Sequence, residues 1–309
     1  QAVEMGKADE NILADVACDE VPLQHGLDLY LDYIARPEVV KGTKASTQKR
    51  YRTHIEKIVL FTKGRGIRTW NQIEKRHFDQ FATWLSGQDY AYNTIRNALT
   101  TMKQVHNYLV ETSLLPRANQ FQISMERVAI SDTYCYSRKE VIAMVDLCRQ
   151  QPDLEWLGDV IVGLATTGMR ISELASRRWR DIELGANIIS LEDESKSARS
   201  KKKEARTTKS GESRWFPIHA DLREILERLQ RQRQSGPVFR ATRGGILRPN
   251  NVRDALIKHV IAPLTPRFPS DDGERGFKDG RLHSFRHFFC SQCADQRVPE
   301  LMLMNWLGH

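Results

Sequence analysis

The sequence predicts a mainly α-helical protein of two domains, the second of them carrying a small sheet. Three observations predict it. Apolar residues recur at three- and four-residue steps along most of the chain, which is the period of helices with one buried face. That period fails between residues 112 and 134, where Pro116 interrupts a mixed polar stretch. Two short β-type runs, Ile188-Ile189-Ser190-Leu191 and Trp215-Phe216-Pro217-Ile218, stand only in the later part.

Residues 1–20 lack a sustained apolar stripe and read as a flexible acidic arm. Helical patterns follow at about 24–36, 47–62, 75–86 and 93–110 and define a first domain over 21–111. In the last of them Asn93 is placed to cap a stripe of Ile95, Ala98, Leu99, Met102, Val105 and Leu109. A linker takes 112–134, and a second domain takes 135–309. There Ser137 and Glu140 have the spacing of a capping box, and Leu157, Val160, Ile161, Leu164 and Ala165 line one side of the next helix. A helix over Arg170 to Trp179 precedes the two strand-like runs, which flank a long polar connection. Helical patterns near 221–233, 250–261, 284–296 and 299–307 complete the domain.

With 47 basic against 39 acidic residues the net charge is +8, yet the first twenty residues hold six acids and one lysine. The positive charge therefore belongs to the folded body, which favours a polyanionic partner, nucleic acid before membrane. Five cysteines without a regular framework fit a reducing cytosol and exclude a disulfide-stapled fold. No run approaches the roughly 18 apolar residues a membrane span needs, and the acidic start is not a signal peptide. No membrane partner is expected. The sequence opens on Gln and stops just after an apolar segment, so both ends read as cuts from a longer chain.

Four separated pieces carry chemistry. They are Thr166-Thr167-Gly168-Met169-Arg170-Ile171-Ser172-Glu173-Leu174, Lys209 five residues before Arg214, His283-Ser284-Phe285-Arg286-His287, and Leu307-Gly308-His309. Two guanidinium groups suit the nonbridging oxygens of a phosphodiester under attack, through directed, charge-assisted hydrogen bonds. Imidazole exchanges protons near neutral pH, and a lysine can protonate a leaving alkoxide.

In this order the four pieces resemble the tyrosine recombinases, the lambda-integrase-like or phage integrase family, over nearly the whole chain. The resemblance implies a helical SAM-like core-binding domain before a mixed α/β catalytic domain with a small antiparallel sheet. It implies that Arg170 and Arg286 clamp the phosphate, Lys209 protonates the 5′ oxygen, His283 assists tyrosine deprotonation or phosphate orientation, and His309 adds a phosphate hydrogen bond. Glu173 would orient its neighbours from behind the site. The family's nucleophilic tyrosine lies shortly after that last His, so here it is expected beyond His309, and the 309 residues alone are expected to bind DNA without cutting it. Tyr134 and Tyr136 stand at the domain entry and are not its substitutes.

The resemblance further implies a 3′-phosphotyrosine intermediate with neither metal nor other cofactor, double-stranded DNA recombination sites as partners, and a homotetramer on paired sites. Accessory directionality or DNA-bending proteins, and a cytoplasmic, nucleoid-associated location, belong to the same picture. A mobile-element integrase is the leading role; a catalytically silent DNA-binding protein of the same fold and a type IB topoisomerase-like enzyme are the alternatives.

Each residue also has a plainer reading. Lys44, Lys49, Arg50 and Arg52 decorate a helix start, where solvent explains their charge as well as DNA does. Eight basic residues against two Glu between Ser195 and Arg214 make several lysines compete. The spacing of Lys209 to the strand selects it, while Lys201, Lys202 and Lys203 suit backbone phosphates. Cys290 and Cys293 beside His287 lie within a helix without a second cysteine pair, so they read as core rather than zinc ligands. Trp215 and Phe216 read as sheet core or hairpin packing rather than base-stacking platforms.

Overall fold

The computed structural model describes residues 19–117, 123–126, 133–194 and 213–308. The chain forms two compact units, Gln1–Ala129 and Ile130–His309. The expected acidic arm falls almost wholly outside the described residues, as do Lys201, Lys202, Lys203, Lys209 and His309.

The first unit is built from α1 (Leu23–Ala35), α2 (Ala45–Lys63), α3 (Lys75–Ser86) and α4 (Tyr92–Glu111). Each supplies an apolar stripe to one core, in which Leu27, Ile58, Phe61, Phe81, Met102 and Val105 are all sealed from solvent. Trp70 locks the unit's entry: its indole Nε1 donates to the Leu23 carbonyl at 3.0 Å. Gly26 permits this, because a Cβ there would stand 2.4 Å from that nitrogen. Helix α4 starts one residue before the cap expected at Asn93. Ala91 holds the cap position without a side-chain bond, and its carbonyl accepts from the Thr94 and Ile95 N–H groups at 2.8 and 3.1 Å.

In the second unit the capping box forms before α5 (Arg138–Arg149): Ser137 Oγ accepts from the Glu140 N–H at 3.3 Å, and Glu140 accepts from the Ser137 N–H at 2.6 Å. The next helix, α6 (Glu155–Thr167), is buried on nearly every face and is the axis of the unit. It packs against α5, against α8 (Ala220–Gln232) and against α10 (Ser284–Asp295). Helix α9 (Pro249–Leu256) runs through a wider π-type turn at Ile257–Ile261 into Ala262–Leu264. Helix α11 (Glu300–Leu307) closes the described chain.

The helix expected from Arg170 to Trp179 is shorter. Helix α7 (Ile171–Ala175) stops because the Glu173 carbonyl is taken by side chains, Ser176 Oγ at 2.8 Å and Arg177 Nε at 3.0 Å. Such local bonds compete with the helical ladder. The sheet is antiparallel in the order β1 (Ile182–Glu183), β2 (Ile188–Leu191), β3 (Arg214–Pro217), with Leu191 opposite Arg214 and Ile189 opposite Phe216. Strand alternation separates the two aromatics expected in the core. Phe216 is buried, and Trp215, facing the other way, is half exposed.

Candidate active site

Two residues make the corner on which the site is built. Gly168 ends α6 in the left-handed conformation, φ 62°, and Met169 leads directly to Arg170, the residue that opens α7. The corner fits only glycine, since a Cβ would meet Phe289 Cδ1 at 2.4 Å. Gly168 thereby turns its carbonyl toward α10 while Arg170 points its side chain into the same space.

Glu173, one turn later, gathers the charges. Its Oε2 accepts from the Arg170 backbone N–H at 2.9 Å, and its Oε1 from Arg170 Nη1 at 3.0 Å. Arg214 reaches across from β3 and donates through Nη2 to Oε2 at 2.9 Å. Burial alone pushes the Glu173 carboxyl upward, but the Arg170 N–H bond, the Arg214 charge and the side-chain bonds from both arginines outweigh it and hold the group below the usual carboxylate range.

Arg286 enters from the first turn of α10 and is buried. Its Nη1 donates to the Gly168 carbonyl at 3.0 Å and its Nη2 to the Leu307 carbonyl at 2.6 Å, so three chain segments meet on one guanidinium. Burial first, and the Arg170 charge next, pull Arg286 down to about 10 against the opposing pull of Glu173. Arg170 keeps about a fifth of its side chain exposed (21%), so the cluster opens to solvent there. Arg170 and Arg214 share the Glu173 carboxylate while Arg286 is held by two carbonyls, so these four side chains carry an excess of two positive charges around a partly exposed Arg170. Such a site stabilises an arriving anion.

His283 caps α10 on its exposed side, and its ring meets that of His287 edge to face, centroids 5.1 Å apart. The structure therefore brings together Arg170, Glu173 and Arg286, with His283 one turn before Arg286. Lys44, Lys49, Arg50 and Arg52 lie in the first unit, exposed around the start of α2. Tyr134 and Tyr136 are no nucleophiles as placed. Burial, then the 2.6 Å bond its hydroxyl donates to Glu140, raises the Tyr134 pKa well above the phenol range, and burial does the same to Tyr136. Among the described residues no group of three His, Cys, Asp or Glu could hold a metal ion, and no helix is long and apolar enough to cross a membrane.

Two arginines escaped the sequence reading. Arg177 is sealed from solvent and structural: it donates to the Glu173 and Ser190 carbonyls, at 3.0 and 2.7 Å, tying α7 to β2. Arg214 was legible in principle. It stands two and four residues before Phe216 and Ile218, whose burial fixes the inward face of the strand.

Residues 136–309 match the phage integrase family, and residues 27–112 match the phage integrase N-terminal SAM-like domain. A tyrosine recombinase XerC of Roseiflexus sp. (strain RS-1) is 23% identical over 271 residues, 87% of this chain and 76% of that protein. The XerC of Herpetosiphon aurantiacus is 24% identical over 169 residues, 54% of each. Among solved structures, the Tn1549 transposon integrase in complex with transposon right end DNA superposes with a TM-score of 0.72 at 15% identity, covering 94% of this chain and 91% of that one. A lambda integrase tetramer bound to a Holliday junction gives 0.67 at 16%, covering 100% and 82%. At these identities the structural likenesses establish the fold.

Proposed function

Because the chain belongs to the phage integrase family of tyrosine recombinases, we propose that it serves a site-specific recombinase of a mobile element, with the Arg170, Glu173, Arg214 and Arg286 cluster as its phosphate site. The observation that carries this reading is the charge imbalance of that cluster. A phosphodiester gains negative charge on its nonbridging oxygens as it is attacked, and preorganised guanidinium groups stabilise that charge more than the ground state.

In the proposed reaction a tyrosine oxygen attacks phosphorus and the bond from phosphorus to the 5′ oxygen breaks. His283 assists removal of the tyrosine proton or orients the phosphate, and Lys209 gives a proton to the leaving 5′ oxygen. His309 donates a further hydrogen bond to the phosphate. The 3′-phosphotyrosine keeps the bond energy, and the 5′-hydroxyl of a partner strand reverses the step to rejoin DNA. In the unit that carries the site, Tyr134 and Tyr136 are held as described above. On the family resemblance alone the nucleophile is proposed to follow His309, with residues 1–309 binding DNA without cutting it.

The domains are assigned as an arm over 1–20, a core-binding domain over 21–111, a linker over 112–134 and a catalytic domain over 135–309. Four copies on two paired sites, with accessory directionality or bending proteins, acting on cytoplasmic nucleoid DNA, complete the proposal. The tetramer is supported by the lambda integrase assembled as one on a Holliday junction.

The test begins with the coding sequence beyond His309 and proceeds with its complete product on DNA flanking the gene. A protein–DNA adduct that survives denaturant and forms in chelator is expected, with exchange only between paired sites. Arg170→Ala and Arg286→Ala should each cut adduct formation by about 100-fold or more while changing DNA affinity by less than about threefold. Relaxation of any supercoiled plasmid would indicate a topoisomerase, and binding with no adduct a silent DNA-binding protein.

A further inference from the structure

We propose that Arg214 is a positioning residue for the phosphate site: through Glu173 it fixes the Arg170 guanidinium, and it ties the strand that follows the Lys209 arm to the turn that carries Arg170. The functional consequence rests on the recombinase reading above; the link itself rests on geometry.

The first argument is that stability does not explain an arginine here. Its side chain is sealed from solvent at an inward strand position where Phe216, two residues on, makes core by apolar burial. Desolvating a guanidinium consumes most of what one ion pair returns, and an apolar side chain of similar volume often does as well. The pairing is also incomplete, since Arg214 Nε and Nη1 have no acceptor among the described residues. Natural cores retain such a group where it sets the geometry of another.

The second argument is how the carboxylate is divided. Glu173 Oε1 serves Arg170 Nη1 alone, whereas Oε2 accepts from both the Arg170 N–H and Arg214 Nη2. After the Arg170 N–H bond, the Arg214 charge is the largest influence keeping a buried Glu173 ionised, and only an ionised Glu173 offers both oxygens to Arg170. Remove Arg214 and burial drives the carboxyl upward. A protonated Glu173 gives up one of its two bonds to Arg170, so the aim of Arg170 becomes pH-dependent. The Arg170 charge in turn acts on Arg286, as does that of Arg214, so the effect reaches both clamp arginines. A shift at β3 is in this way passed to the phosphate site through a single carboxylate.

The test uses the 309-residue chain with Arg214→Met and Arg214→Lys. Carboxyl 13C NMR follows the Glu173 titration, assigned with Glu173→Gln, and 15N NMR follows the Arg170 Nε–H, assigned with Arg170→Lys. Inorganic phosphate observed by 31P NMR reads the consequence. In Arg214→Met the Glu173 pKa should rise by about one unit or more, and the Arg170 signal should move toward that of solvent-exposed arginines. Measured against the wild-type chain at each pH, so that the titration of phosphate itself cancels, binding should fall about tenfold one pH unit below the raised Glu173 pKa and match the wild type well above it, while Arg214→Lys restores most of each effect. Arg214→Gln, which keeps a donor toward Glu173 without the charge, provides the same comparison where the methionine variant does not fold. An unchanged Glu173 titration and Arg170 signal overturn the proposal. If both respond while the wild-type chain binds no phosphate, the link through Glu173 stands and the phosphate-site reading falls.

Discussion

Arg286 donates to the carbonyl of Leu307 at 2.6 Å, so the guanidinium assigned to the phosphate also holds the end of α11. With the 3.0 Å bond to Gly168, one planar side chain spans two carbonyls from segments more than a hundred residues apart. A lysine ammonium has the charge but not the fork. Arg286→Lys should therefore release α11, speeding amide exchange there by about tenfold while α5 and α6 keep their protection. Equal exchange in α11 of the two proteins would show that this bond does not hold it.

Gly168 gives a second prediction. Its left-handed φ and the 2.4 Å approach to Phe289 make alanine strained twice over, by backbone and by contact. Gly168→Ala should destabilise the second unit by about 1–3 kcal/mol, read as a lower calorimetric midpoint. It should also weaken phosphate binding, since the displaced carbonyl is an anchor of Arg286. Phe289→Leu in the alanine background, which vacates the ring, should recover part of the stability.

The helices of both units were legible because their buried faces repeat at helical spacing, as the stripe from Ala98 to Leu109 shows. Arg170 and Glu173 were legible from the tight order of Gly168, Arg170 and Glu173, and Arg286 from its spacing to His283, once the ordered pieces resembled the family. What the sequence hid was pairing at a distance. Nothing in the run Ser213-Arg214-Trp215 announces Glu173, forty-one residues earlier, as its partner. The end of α7 was hidden for a related reason: the Ser176 and Arg177 side chains compete for a carbonyl, which periodicity does not register. Asn93 was taken as a cap on residue type, whereas the first helical bonds close on the Ala91 carbonyl, two residues earlier.

A third prediction concerns pH. Burial raises Asp159 to about 6, although Arg228 donates to it at 2.6 Å and pulls the other way. Between the ordinary aspartate range and pH 6 the folded unit holds a proton that the unfolded chain has released. Stability from this group is therefore greatest below the unfolded pKa and declines as pH rises through 6. The second unit should lose on the order of 2–3 kcal/mol between pH 4 and pH 7 from this source, and Asp159→Asn should flatten that slope. Denaturant midpoints across the range measure it, and an unaltered slope in the asparagine protein would assign the effect elsewhere.

The last prediction separates two readings of the charges on α2. Lys44, Lys49, Arg50 and Arg52 are all exposed, as solvated residues and phosphate-binding residues both are. The two differ in their response to salt. A cation on a DNA phosphate displaces a condensed counterion, and each such contact adds about 0.9 to the slope of log affinity against log salt. Replacing all four by glutamine should make that slope shallower by about 3 to 4 for duplex DNA if every one touches a phosphate. Affinity should fall uniformly across sequences, because contacts of this kind position the duplex without reading its bases. Anisotropy titrations between 50 and 200 mM salt, the range that separates such slopes, decide the matter. A quadruple variant with the parental slope would return these four side chains to solvent and move the first unit's DNA contacts to another face.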